Sequence, residues 1–119
     1  SPFNVSSLGL KMAELSIVDV KFVNEQRELN RVNREALRNK LLGLGLKIDQ
    51  SFANFLLLRF LSEEQANSID LFLKGKGFIL RKVGSYGLPK CLRLSIGSKE
   101  ICEKLYLTLA EYFEKNERV

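Results

Sequence analysis

Arg81 and Arg93 are the side chains whose type and setting best suit them to chemistry. Phe78-Ile79-Leu80 leads directly into Arg81, and Arg93 sits inside a second apolar run, Leu92–Ile96. A guanidinium is a planar fork of donors that matches carboxylate or phosphate oxygens two at a time. Between the runs lies a loop with Gly84, Gly87 and Pro89, residues that allow turns and stop helices. Strand alternation through the second run puts Cys91, Arg93, Ser95 and Gly97 on one face and Leu92, Leu94 and Ile96 on the other. If the two runs pair as antiparallel strands, both arginines reach the same mouth, and a small anion is the ligand that fits there. The competing reading is two solvated surface arginines, the default for charged groups.

Other chemistries lack their residues. The 119-residue chain has no histidine, which removes histidine-based triads, imidazole zinc sites and a histidine pH switch. Its two cysteines, Cys91 and Cys102, have no metal-site spacing and read as reduced structural thiols of a cytoplasmic protein. Neither a phosphate-binding G-x-x-x-x-G-K-[ST] nor a G-x-G-x-x-G motif is present, and Gly75-Lys76-Gly77 follows a helix and reads as a turn. Composition is that of a globular chain, 45% hydrophobic and 28% charged. The net charge of +5 favours anionic partners only weakly, because the charges are mixed in sign along the chain. No apolar run approaches the roughly 18 residues of a membrane span. Neither a nucleic acid nor a membrane is expected as partner.

The elements that position the arginines follow from periodicity. Leu8, Met12, Leu15 and Val18 recur at helical spacing and predict a first helix of about three turns. Asp19 reads as the cap of a second helix running from Val20 to about Leu42. Its buried stripe is predicted as Phe22, Leu29, Val32, Ala36, Leu37 and Leu41, with Arg27, Arg31, Arg34 and Arg38 among its solvated residues. Gly43-Leu44-Gly45 stops it. Phe52–Phe60 predicts a buried strand, with Leu56 and Leu58 on one face and Phe55, Leu57 and Arg59 on the other. Ser62-Glu63-Glu64-Gln65 is a capping-box match for a helix over Glu63–Lys74, with Ala66, Ile69, Phe72 and Leu73 inward and Gly75 and Gly77 at its end. After the two arginine-bearing strands, Ser98 caps a last helix with the stripe Ile101, Leu105, Leu109, Tyr112 and Phe113. The order α-α-β-α-β-β-α predicts an α+β fold, a small mixed or antiparallel sheet with helices covering one side. The strand–helix–strand unit from Phe55 to Val83 is expected to cross over right-handed if its strands are parallel.

The segment Leu80-Arg81, then Tyr86-Gly87-Leu88-Pro89-Lys90-Cys91-Leu92-Arg93-Leu94-Ser95-Ile96-Gly97, resembles the C-terminal end of histidinol-phosphate aminotransferases. The resemblance extends collinearly over nearly the whole chain. Pro2-Phe3-Asn4-Val5 resembles a P-F-N-V stretch of that family, and Asp19 with Phe22-Val23 resembles the break before its long helix. Ser51-Phe52-Ala53-Asn54-Phe55 resembles its S-x-x-N-F, and Leu73 to Leu80 its L-x-x-x-G-[IF]-[IL]-L. Two departures are mild: Gln50 stands where a proline is usual, and Ser98 where a threonine is usual.

This resemblance implies a fold-type I enzyme dependent on pyridoxal 5'-phosphate, with residues 19–119 as its C-terminal small domain and residues 1–18 as the helix leading in from a large domain. Such enzymes are cytoplasmic homodimers that move an amino group between histidinol phosphate and 2-oxoglutarate or glutamate in histidine biosynthesis. By the same resemblance Arg93 grips the substrate's anionic group and Arg81 helps hold a phosphate, while Asn54 and Tyr86 occupy pattern positions on the substrate side. No residue here is expected to be catalytic. The family's cofactor-bearing lysine precedes its P-F-N-V, and Ser98-Lys99 only opens a helix. The chain, which begins Ser-Pro-Phe without an initiator methionine, is therefore expected to be a segment, inactive alone and without bound cofactor. Leu8, Met12 and Leu15 are then expected to lack their natural cover, giving a solution dimer or a mobile N-terminal segment. The alternative is an independent α+β module that binds an anionic ligand or a nucleic acid.

Overall fold

The computed structural model describes residues 17–51 and 53–116. Helix α1 spans Ile17–Gly43 and ends where the glycines predict: Gly45 takes a left-handed φ of 93° and its N–H donates to the Leu42 carbonyl. Ile17 and Val18 are already helical, so Asp19 lies within the helix and does not cap it. The first helix expected over Leu8–Val18 otherwise lies outside the described residues, as do Leu8, Met12 and Leu15.

The predicted stripe of α1 is only half correct. Leu37 and Leu41 are buried, but Phe22, Leu29 and Val32 are exposed, and so is Ala36. The cause is length. At 1.5 Å per residue a 27-residue helix runs about 40 Å, and the molecule's two shorter axes are 28 and 25 Å, so the N-terminal half projects past the body. Arg34, assigned to solvent, is in fact buried and donates to the Ala53 carbonyl (3.2 Å). Arg38 makes two hydrogen bonds to the Ile48 carbonyl (2.9 and 3.2 Å). These arginines staple α1 to the chain on either side of Asp49–Ser51.

A four-stranded antiparallel sheet follows, in the order β1-β2-β4-β3. Its strands are β1 (Lys47–Ile48), β2 (Phe55–Arg59), β3 (Arg81–Val83) and β4 (Leu88–Ser95). The two-residue β1 was not foreseen; from the long helix onward the other elements come in the predicted order, and the α+β fold is as expected. Strand β2 begins at Phe55, later than the predicted start at Phe52, a residue that lies outside those described; ahead of it Ser51 Oγ accepts from Ala53 N–H. Both β2 and β3 run antiparallel to β4, hence parallel to each other, with β4 between them.

Helix α2 (Glu63–Gly75) joins β2 to β3. Ser62 Oγ accepts from Gln65 N–H, and Gln65 Oε1 reaches back to Leu61 N–H. At its other end Phe78 N–H donates to Leu73 O and Gly77 N–H to Lys74 O, the paired bonds of a Schellman turn, with Gly77 at φ 90°. This use of the Phe78 N–H explains why Phe78-Ile79-Leu80 is not strand, as the apolar run predicts; the ladder begins at Arg81. Helix α3 (Lys99–Lys115) is capped by Ser98 Oγ, which accepts from Ile101 N–H. Leu105, Leu109, Tyr112 and Phe113 of its predicted stripe are buried, whereas Ile101 is exposed and Cys102 takes the inward place.

The core lies on one side of the sheet. Leu56 and Leu58 of β2 and Leu92 and Leu94 of β4 pack with Leu37 and Leu41 of α1, Ile69 and Leu73 of α2, and Leu105 and Leu109 of α3. Period-2 alternation therefore sends Phe55, Leu57, Arg93 and Ser95 to the other face, which no helix among the described residues covers. Among the described residues no helix is long and apolar enough to cross a membrane.

Candidate functional site on the bare face of the sheet

Arg81 and Arg93 are direct cross-strand partners on β3 and β4. Lys82, between Arg81 and Val83, turns to the helical side, so Arg81 and Arg93 share the bare face. Together with Ile79, Leu80 and Ser95 they line an open cleft of about 430 Å³. The Arg93 guanidinium carbon lies 4.7 Å from the centre of the Phe55 ring, a cation–π contact that steadies a half-buried side chain. Neither arginine makes an ion pair or side-chain hydrogen bond among the described residues. Like charges directly opposite on adjacent strands destabilise a sheet, so the arrangement places two unneutralised cations side by side at some cost.

The other two residues singled out by the sequence stand elsewhere. Asn54 is exposed just before β2, and its carbonyl accepts from Ile96 N–H (3.1 Å). Its side chain borders a separate cleft of about 340 Å³ beside α1, with Arg27, Arg31 and Arg34. Tyr86 is 73% exposed in the 3-10 turn Gly84–Tyr86 at the tip of the β3–β4 hairpin and does not line the arginine cleft. The structure thus joins Arg81 with Arg93 and leaves Asn54 and Tyr86 apart from them.

The cleft beside α1 differs in charge. Arg31 makes a two-pronged contact with Glu28 (2.6 and 3.1 Å), and the pairing holds the Glu28 carboxyl below its ordinary range. Arg34 Nε lies 3.2 Å from Glu35 Oε2. Its basic side is largely neutralised locally. Sequence reasoning did not single out Phe55, Ile79 and Ser95 as cleft residues. Alternation already put Phe55 opposite Leu56, but its stacking on Arg93 needs the β2–β4 pairing.

No cluster of three or more metal-ligating side chains occurs among the described residues. The arginine cleft has no lysine in its lining. Lys82 is turned to the opposite side of the sheet, and Lys99 opens α3. The cleft's groups suit an anion and not a carbonyl cofactor held as an imine.

Fold and cleft together define an α+β domain with helices on one sheet face and paired arginines on the other. A family model described as aminotransferase class I and II matches residues 1–108. The chain belongs to the class I and II aminotransferase family. It is 46% identical over 99 residues to a histidinol-phosphate aminotransferase from Jannaschia sp. (strain CCS1), covering 83% of this chain and 28% of that protein. A histidinol-phosphate aminotransferase from Ruegeria sp. (strain TM1040) is 39% identical over 111 residues, 93% of this chain and 31% of that protein. Among solved structures, a provisionally named aminotransferase from Burkholderia pseudomallei K96243 superposes with a TM-score of 0.65 at 32% identity, over 71% of this chain and 26% of that one. The chain therefore spans less than a third of the length of these relatives. Enzymes of this family depend on pyridoxal 5'-phosphate.

Proposed function

We propose that this chain is the C-terminal small domain of a histidinol-phosphate aminotransferase, which moves an amino group between histidinol phosphate and 2-oxoglutarate or glutamate in histidine biosynthesis. Residues 19–119 form that domain and residues 1–18 lead in from a large domain. The whole enzyme works as a cytoplasmic homodimer. Pyridoxal 5'-phosphate supplies the electron sink for amino transfer when bound. Its lysine is contributed by protein outside this chain, so the chain alone is inactive. What this chain contributes is grip: Arg93 and Arg81 take the substrate's carboxylate or phosphate in charge-assisted, two-pronged hydrogen bonds. They thereby fix the distance from that anion to the reacting carbon.

The single observation that carries this reading is the cross-strand pair itself, two guanidinium groups in one cleft without carboxylate partners among the described residues. Exposed Phe22, Leu29 and Val32 on α1 fit a helix that a large domain covers. Substituting Arg93→Ala in the full-length enzyme is expected to raise KM and lower kcat/KM by about two orders of magnitude, the worth of a charge-assisted pair. Steady-state kinetics with histidinol phosphate and 2-oxoglutarate check this, and unchanged constants would remove Arg93 from the site.

A further inference from the structure

Asp70 is a buried carboxylate that the proposed function leaves unused. It lies on α2 with 1% of its surface exposed, and neither carboxylate oxygen accepts a well-aligned hydrogen bond. Its partners are two ammonium groups: Lys74 Nζ at 3.1 Å from the same helix, and Lys82 Nζ at 3.9 Å from β3. A sealed carboxylate is tolerated only where cations offset its lost hydration. Among the described residues Lys82 is thus its only ionic link to another element.

That link ends one residue from Arg81. Strand β3 is three residues long and stands at the sheet edge, where among the described residues it pairs with β4 alone. Its ladder is irregular, since Lys82 pairs with Leu92 but Val83 with Leu88. Arg81, Lys82 and Arg93 concentrate three positive charges on this stretch, and Arg81 faces Arg93 directly. Buried Leu80 and Val83 flank Arg81 and Lys82, yet neither apolar side chain offsets the repulsion. Asp70 is the only carboxylate that forms an ion pair with β3 among the described residues.

We propose that Asp70 is a positioning residue for the anion cleft. Through Lys82 it holds the cationic edge strand against β4 and so keeps Arg81 opposite Arg93. This rests on the reading of the cleft as an anion site, and the experiment separates the two. Inorganic phosphate is titrated by calorimetry into the full-length protein with its cofactor bound, comparing Asp70→Asn, Arg81→Ala, Arg93→Ala and the double variants. Asp70→Asn is expected to weaken phosphate binding about 3- to 10-fold, a factor lost in the Arg81→Ala background and kept in the Arg93→Ala background. A merely structural role would cost the same in both. Phosphate affinity unchanged by Asp70→Asn, or an equal loss in both backgrounds, overturns the proposal while the anion site stands. Single arginine variants that bind phosphate like the parent overturn the anion site and this proposal with it. Should Asp70→Asn fail to fold, Lys82→Met removes the same link from the strand side and is held to the same background dependence.

Discussion

The two faces of one sheet are built from alternate residues of the same strands and have opposite economies. On the helical face Leu56, Leu58, Leu92 and Leu94 are buried against three helices, and Asp70, the one buried acidic residue among those described, is flanked by two lysines. On the bare face Arg81 and Arg93 face one another, neither paired with a carboxylate among the described residues, and Phe55 and Leu57 stay half exposed. The first face minimises free energy of folding. The second tolerates repulsion between two arginines, a local cost of the kind that the proposed anion site would explain.

Substitutions can test how far the two faces are independent. The largest effect belongs to the helical face: Leu58→Ala, at a fully buried position, is expected to cost about 2–5 kcal/mol, measured by urea denaturation. The turn that carries the chain from α2 to β3 should come next. Gly77 has open space where a Cβ would go but a φ of 90°, so Gly77→Ala is expected to cost about 1–2 kcal/mol through the backbone alone. Arg93→Ala, which should cripple binding, is expected to change stability by less than about 1 kcal/mol, the loss of its stacking on Phe55 being offset by relief of repulsion. A large loss of stability in that variant would mean that the bare face is structural after all.

The smallest effect lies away from both faces. Lys115, by hydrogen bond, and Lys76 beside it hold the Glu111 carboxyl below its ordinary value. A depressed folded-state value means that this contribution is present above the unfolded-state range near pH 4.3 and fades as pH falls through the lower folded value. Glu111→Gln should therefore lower the thermal midpoint slightly at neutral pH and not at all in strong acid. A uniform shift across pH would assign the effect to packing.

Much of this protein was legible in its residue order, because the relevant signals are local. The caps at Ser62 and Ser98, the glycine stops and the alternation through Leu92–Ile96 each involve residues a few positions apart. They fixed the α+β class, the element order from the long helix onward and the facing of Arg93. The exposed half of α1, the buried Arg34, the two-residue β1 and the start of β3 at Arg81 were not legible. Each depends on what lies across space: how far the body extends under a helix, which carbonyl a guanidinium meets, which strand pairs with which.

The site divides in the same way. By itself the sequence determined that two arginines flank a turn and that no histidine competes with them for chemistry. Only the tertiary structure decided that Arg81 stands opposite Arg93, that Phe55 lies beneath one of them, and that Tyr86 and Asn54 stand apart. Strand register is set by the packing of the opposite, apolar face, and a shift of one residue would exchange the faces. Where the arginines meet is thus a consequence of where the leucines pack.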